Sequence, residues 1–202
     1  MGFADWKFER KMRKQRAKRK YSDDMCWSID YTLLEILPRM IETMRKQKHG
    51  YPDGIQFEEV ETFPCNWVEN SIKQIEKDFS KDDYEVDIQD PFTRWHLVLM
   101  RICYCLQQAD ENQTEIENKY EYEYHKQLWK NVKDRTNLDE VFVPASYDKN
   151  GEVLTYKMNT AKVNEELEKN WLEESREIDM YRDNMKTEAF NLINKYFWDL
   201  WD

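Results

Sequence analysis

Residues 21–52 read YSDDMCWSIDYTLLEILPRMIETMRKQKHGYP, a stretch in which the start, the buried face and the end of a helix are each written in residue types. Ser22 suits the N-cap, because its hydroxyl accepts from a free amide of the first turn, and Asp23 and Asp24 put negative charge at the positive end of the helix dipole. Met25, Cys26, Ile29, Leu33, Ile36, Leu37, Met40, Ile41 and Met44 recur at three- and four-residue steps and form one apolar stripe that must be covered. Lys46, Lys48 and His49 fill the last turn, Gly50 is available for the left-handed position beyond it, and Pro52 prevents the helix from resuming. Pro38 lies inside the run, removes one backbone bond and crowds the carbonyl of Leu34, which predicts a kink.

Outward from this helix, the next clear start is Asp90-Pro91, a cap followed by proline at the first helical position. The segment behind it, FTRWHLVLMRICYCLQQAD, is apolar on nearly all sides and predicts the central, most buried helix, with Arg94, Arg101 and Gln108 seven apart along its polar edge. Between the two, a shorter helix is expected near Trp67–Phe79, followed by a charged linker, SKDDYEVDIQD. Residues 111–133 read as helix, although KYEYEYHKQ also alternates with period two. VFVPASY-DKNG-EVLTYKM is the one strong β signal, two β-prone runs around a turn, and predicts a protruding hairpin over 141–157. From 160 to 201 a long helix is expected, with a near-heptad row from Trp171 to Leu192 that makes it a candidate for pairing with another helix or with its own copy.

Charge divides the chain into two opposite objects. Residues 1–21 hold nine Lys/Arg against Asp5 and Glu9, about +7, which leaves 22 basic and 39 acidic residues, about −17, for the rest. The arm, FADWKFERKMRKQRAKRK, is helix-compatible, with Phe3, Trp6 and Phe8 as an aromatic anchor. Lys7, Arg10, Lys11, Arg13, Lys14, Arg16, Lys18, Arg19 and Lys20 offer an electrostatic grip on nucleic-acid phosphates. The competing reading is an arm docked on the acidic remainder of its own chain, since unlike patches attract.

Several chemistries are missing from the sequence. Four glycines are too few for phosphate-cradling loops, and Walker, dinucleotide, nucleophile-elbow and HExxH patterns are absent. His49, His96 and His125 are dispersed, and Cys103-x-Cys105 lacks zinc spacing, so neither a metal nor a cofactor is expected. No secretory signal or bilayer-length apolar run is evident, which predicts reduced thiols and no membrane partner. Asp30 falls within the apolar stripe, near Asp23 and Cys26, and a buried carboxylate demands a partner. It reads either as a metal ligand or general base with His96 or, preferably, as a structural ion pair with Arg94 or Arg101. A magnesium-dependent nucleotide hydrolase built on Glu165, Glu168, Glu174, Glu177 and Asp179 ranks last, because these carboxylates share one helix and cannot converge across a site. The dense negative face also admits a decoy presenting carboxylates where a nucleic-acid-binding protein expects phosphates.

Tyr21-Ser22-Asp23-Asp24 with Cys26-Trp27 and Asp30-Tyr31, then Leu37-Pro38 and His49-Gly50-Tyr51-Pro52, carry a resemblance, joined by WHLVLMRICYCLQQADE and the closing NKYFWDLWD. Together they resemble small uncharacterised proteins of tailed phages and prophages of gut bacteria. The resemblance leaves out the 55–89 segment and the hairpin. It implies phage origin and a place in the host cytoplasm or the virion, and it brings no catalytic residues with it. The combined expectation is a mainly α, bundle-like domain over 22–202 with one β-hairpin and a basic helical arm over 1–21. Its expected function is non-enzymatic binding of a host or virion protein, with nucleic-acid association through residues 7–20 as the alternative. Homo-oligomerisation through the C-terminal helix is a further expectation.

Overall fold

The computed structural model describes residues 3–47, 50–52, 57–79 and 86–201. It is mainly helical with one two-stranded antiparallel hairpin, as the patterning predicts. Among the described residues the chain divides into two compact units, Met1–Thr114 with Arg182–Asp202, and Glu115–Tyr181. The sequence reading treats residues 22–202 as one domain. No glycine- or proline-rich linker marks either border of the two units.

The first unit contains α1 (Phe3–Arg19), α2 (Asp23–Trp27), α3 (Ile29–Lys46), a 3-10 turn (Glu58–Thr62), α4 (Cys65–Asp78), α5 (Pro91–Ala109) and the later part of α8 (Glu165–Lys195). The expected opening helix is therefore two helices. Ser28, at φ −134° and ψ 60°, breaks it, and Ser22 makes no cap bond to the backbone. Pro38 is accommodated inside α3, which closes at Gln47 through bonds to the carbonyls of Met44 and Thr43. Gly50 does not take a positive φ, while the expected cap at His49 and the linker over 80–85 lie outside the described residues.

α5 is central, as its all-round apolar sequence requires. Asp90 accepts from the Thr93 amide at 3.1 Å, and Pro91 opens the helix. Trp95, Leu97, Val98, Leu99, Ile102, Cys105 and Leu106 are buried in one core with Ile41 of α3, Val68 and Ile75 of α4, and Ala189 and Leu192 of α8. Phe57 and Tyr196 complete it, their rings 5.7 Å apart and each within 6 Å of Trp95. The row Trp171–Met185–Leu192 is thus used inside the chain. Met185 and Leu192 pack in this core, and Trp171 stacks on Tyr124 in the other unit's own interior.

The second unit holds α6 (Glu121–Leu128), α7 (Leu138–Val141), β1 (Phe142–Tyr147), β2 (Val153–Met158) and the start of α8. Helix is confined to 121–128 of the expected 111–133, since Asp110 and Asn118 use their side chains to hold turns. The Trp171 and Tyr124 rings stack at 4.1 Å, and Asn118 donates to the Trp171 carbonyl at 2.9 Å and to Ser175 at 2.8 Å. Asn164 caps α8 by accepting from the amides of Glu166 and Leu167. In the hairpin turn Asp148 accepts from the amides of Asn150 and Glu152, and Gly151 at φ +88° supplies the left-handed residue.

Leu106→Ala, which empties a fully buried site on α5, is expected to cost about 2–5 kcal/mol in urea denaturation. Leu154→Ala on the exposed strand β2 is expected to stay within about 0.5 kcal/mol.

Candidate functional site

The arm is a single helix, and its residues fall on two adjoining faces. Met12, Gln15, Arg16 and Arg19 are spaced i, i+3, i+4, i+7 and share one side. That side is held. Gln15 bonds Asp23 twice, donating to its carboxylate at 2.6 Å and accepting from its amide at 3.0 Å. Arg19 donates to Asp23 at 2.6 Å and Arg16 to the Ser22 hydroxyl at 3.2 Å, while Arg16 also stands 3.6 Å from Asp24. Met12 and Ser22 are buried. The hydroxyl that the sequence offers as an N-cap serves Arg16 instead and also bonds Asp24, holding that carboxyl below its ordinary range. Arg19 and Gln15 do the same for Asp23.

The adjoining side carries Lys7, Arg10, Lys11, Lys14 and Lys18, exposed and spaced i, i+3, i+4, i+7, i+11, within roughly a third of the helix circumference. They line one shallow groove of about 670 Å³ together with Gln15 and Arg19. Lys11 bridges the two sides, its Nζ 3.6 Å from Asp23. Arg13, Lys14, Lys18 and Lys20 have no carboxylate partner among the described residues. Of the expected aromatic anchor, Phe8 is exposed, and the side chains of Phe3 and Trp6 lie outside those described.

The arm is therefore tied to Ser22, Asp23 and Asp24 of its own chain through Gln15, Arg16 and Arg19, with Lys11 beside Asp23.

The pairing expected for Asp30 does not form. Asp30 is exposed, because the break at Ser28 restarts the helix beside it. Arg94 bonds Glu61 at 3.1 Å and the Ile88 carbonyl at 3.0 Å. Arg101 is buried and clamped to both carboxylate oxygens of Glu188, at 2.6 and 2.9 Å. Its guanidinium lies 5.2–5.6 Å from the ring centres of Phe63, Trp67 and Tyr104. The partners of both arginines come from segments that carry no motif.

A second buried cation escapes the sequence reading. Arg45 holds Glu42 with two bonds, 2.7 and 2.9 Å, and reaches Asp78 of α4 at 2.5 Å. Glu42 three residues earlier is a visible signal, but Asp78 is not. Near this group His96 is buried with neither ring nitrogen bonded among the described residues, and it packs between Phe79 and Phe92 at 4.8 and 4.3 Å. Burial, with the Arg45 charge, pushes its pKa down to about 4. His96 is thus a neutral core residue, whereas Asp30 is exposed.

Among the described residues no three His, Cys, Asp or Glu gather closely enough to hold a metal. The carboxylates Glu165–Asp179 are strung along α8, where Lys119 takes Glu174 at 2.7 Å. No described helix is long and apolar enough to cross a membrane. Comparison with known proteins finds no matching family model, curated protein or solved structure.

Two measurements check the electrostatics of this unit. Because the folded His96 pKa lies below the free value of 6.5, the unfolded chain binds the extra proton, and stability falls as pH drops from 6.5 towards 4. About 2 kcal/mol is expected to vanish between pH 7 and pH 5 in urea titrations, and His96→Leu should flatten that loss. Burial also pushes Cys103 and Cys105 up to about 12, whereas Cys26 and Cys65 are exposed. A thiol reagent should therefore label two cysteines in the native chain and all four after denaturation.

Proposed function

We infer that this chain is a non-enzymatic binding protein that grips nucleic-acid phosphates with the outward face of α1. The observation that supports it is the sorting of the arm. The face bearing Gln15, Arg16 and Arg19 is tied to Asp23, Asp24 and Ser22, and the row Lys7–Arg10–Lys11–Lys14–Lys18 is exposed on the adjoining face. A flexible arm of the same composition would be drawn onto the −17 remainder. A clipped helix keeps its charges in one line about 16 Å long, since eleven residues rise 1.5 Å each. Such a line matches a phosphate backbone better than a point-like anion.

A second reading, binding of a host or virion protein, has an observation of its own. Ile29, Leu33 and Met40 stand exposed in one row of α3, where the apolar stripe is wider than the core it covers. The resemblance to tailed-phage proteins belongs with either reading, and it supports a host-cell or virion setting for both.

Binding of a fluorescent oligonucleotide, followed against salt, tests the first reading. The slope of log affinity against log salt is expected between about −3 and −5 for five contacting cations. Lys14→Gln with Lys18→Gln should reduce it by about 1.5 while leaving the circular-dichroism spectrum intact. Absence of salt-dependent binding at low ionic strength would overturn the reading in favour of the protein partner.

A further inference from the structure

Trp27 is the most exposed large apolar side chain among those described, at 89 %. An isolated exposed apolar residue needs no explanation. Trp27 shares the short helix α2 with Asp23, the carboxylate to which α1 is clipped. It follows Asp23 by one turn on α2, so the two side chains stand roughly 6 Å apart on the same side of that helix. Asp23 is the residue that Gln15, Arg19 and Lys11 contact, and Lys11 belongs to the exposed basic row. The indole is thus placed one turn along α2 from the carboxylate that Lys11 contacts. Tyr21, also exposed, lies beside the same cluster with the Arg19 guanidinium 5.0 Å above its ring.

We propose that the nucleic acid held by α1 is single-stranded, with Lys7, Lys11, Lys14 and Lys18 following its backbone while Trp27 and the Arg19–Tyr21 pair stack its unpaired bases. This rests on the reading of α1 as a phosphate grip and adds the form of the ligand. The chemistry has three parts. A cationic row beside accessible aromatic faces is the combination that single strands require, because every base offers a π-face once it is unpaired. In a duplex the same bases are stacked on one another, and an exposed indole beside the phosphates has nothing to meet. Gln15, the one amide bordering the basic row, is occupied at both ends by Asp23 and is not available for reading base edges in a groove. Binding is therefore tolerant of sequence and dependent on strandedness.

The test uses the full chain, with labelled single-stranded oligonucleotides of two sequences and a duplex of equal length, followed by fluorescence anisotropy at two salt concentrations. The expected result is tighter binding of both single strands than of the duplex. Trp27→Ala should weaken single-strand binding by about 5- to 150-fold, as the loss of one stacked base implies, with the salt slope and the duplex affinity unchanged. Because the side chain is almost wholly exposed, this variant keeps the fold, which thermal unfolding verifies. Equal affinity for duplex and single strand, or a Trp27→Ala variant that binds single strands like the wild type, overturns the proposal and leaves the phosphate grip standing. Failure of every oligonucleotide to bind overturns both. A Trp27→Ala variant that changes sedimentation in the absence of nucleic acid, with unchanged oligonucleotide affinity, assigns the ring to a contact between copies and overturns the proposal as well.

Discussion

A buried guanidinium cannot be left alone, and the first unit is arranged around two of them. Arg101 projects from the helix that fills the core, where an unpaired charge would cost far more than the packing around it returns. Its fork is matched by the fork of Glu188, so α5 and the later part of α8 are held in a fixed register. The faces of Phe63, Trp67 and Tyr104 gather round the same cation, which brings the segment before α4 and α4 itself to that point. Arg45 does the corresponding work between α3 and α4 through Glu42 and Asp78. Glu59 closes the far end by taking the Tyr196 hydroxyl at 2.7 Å and Lys195. In a chain with so large an excess of carboxylates, each internal cation finds an acidic partner readily, and the pairings decide which helices adjoin.

Local signals were legible wherever one or two residues decide the outcome. Asp90-Pro91 started a helix because the cap and the missing amide act within a single turn, and Gly151 marked the hairpin turn because a left-handed residue is needed there. The apolar stripe of α3 and the all-round apolar α5 followed from periodicity alone. What escaped were choices between equivalent partners. Ser22 could cap a helix or serve Arg16 and Asp24, and only the approach of α1 decides between them. With the cap lost and the backbone broken at Ser28, Asp30 left the stripe, and the ion pair expected of it went with it. Arg101 had many carboxylates within reach of its type, and nothing near Glu188 in sequence singles that residue out.

The candidate site divides along the same line. That residues 7–20 are a cationic helix is plain from composition. That the helix has a held side and an outward side is not, because composition gives the sign of a charge and not the direction it faces. The i, i+4, i+7, i+11 spacing of Lys7, Lys11, Lys14 and Lys18 is present in the sequence, but it acquires meaning only once Gln15, Arg16 and Arg19 are seen engaged on the adjoining face. Trp27 was harder still. The sequence reading gives Trp27 no role beyond the resemblance, and its exposure accompanies the same break at Ser28 that displaced Asp30.

The clip between α1 and α2 also explains how a basic helix coexists with an acidic chain without being absorbed by it. Asp23 and Asp24 engage Arg16 and Arg19 of the held face, and Gln15 adds a neutral amide bond to Asp23 at 2.6 Å. Arg19, the cation bound most tightly at 2.6 Å, is turned towards Asp23 and Tyr21. Lys11, the one member of the outward row that touches Asp23, does so at 3.6 Å, a long exposed contact of the kind that contributes little. On the proposed reading, a phosphate reaching the row would compete for Lys11 against a weak partner and leave the stronger anchors in place. The arm would then take up a ligand without being undocked from the two aspartates.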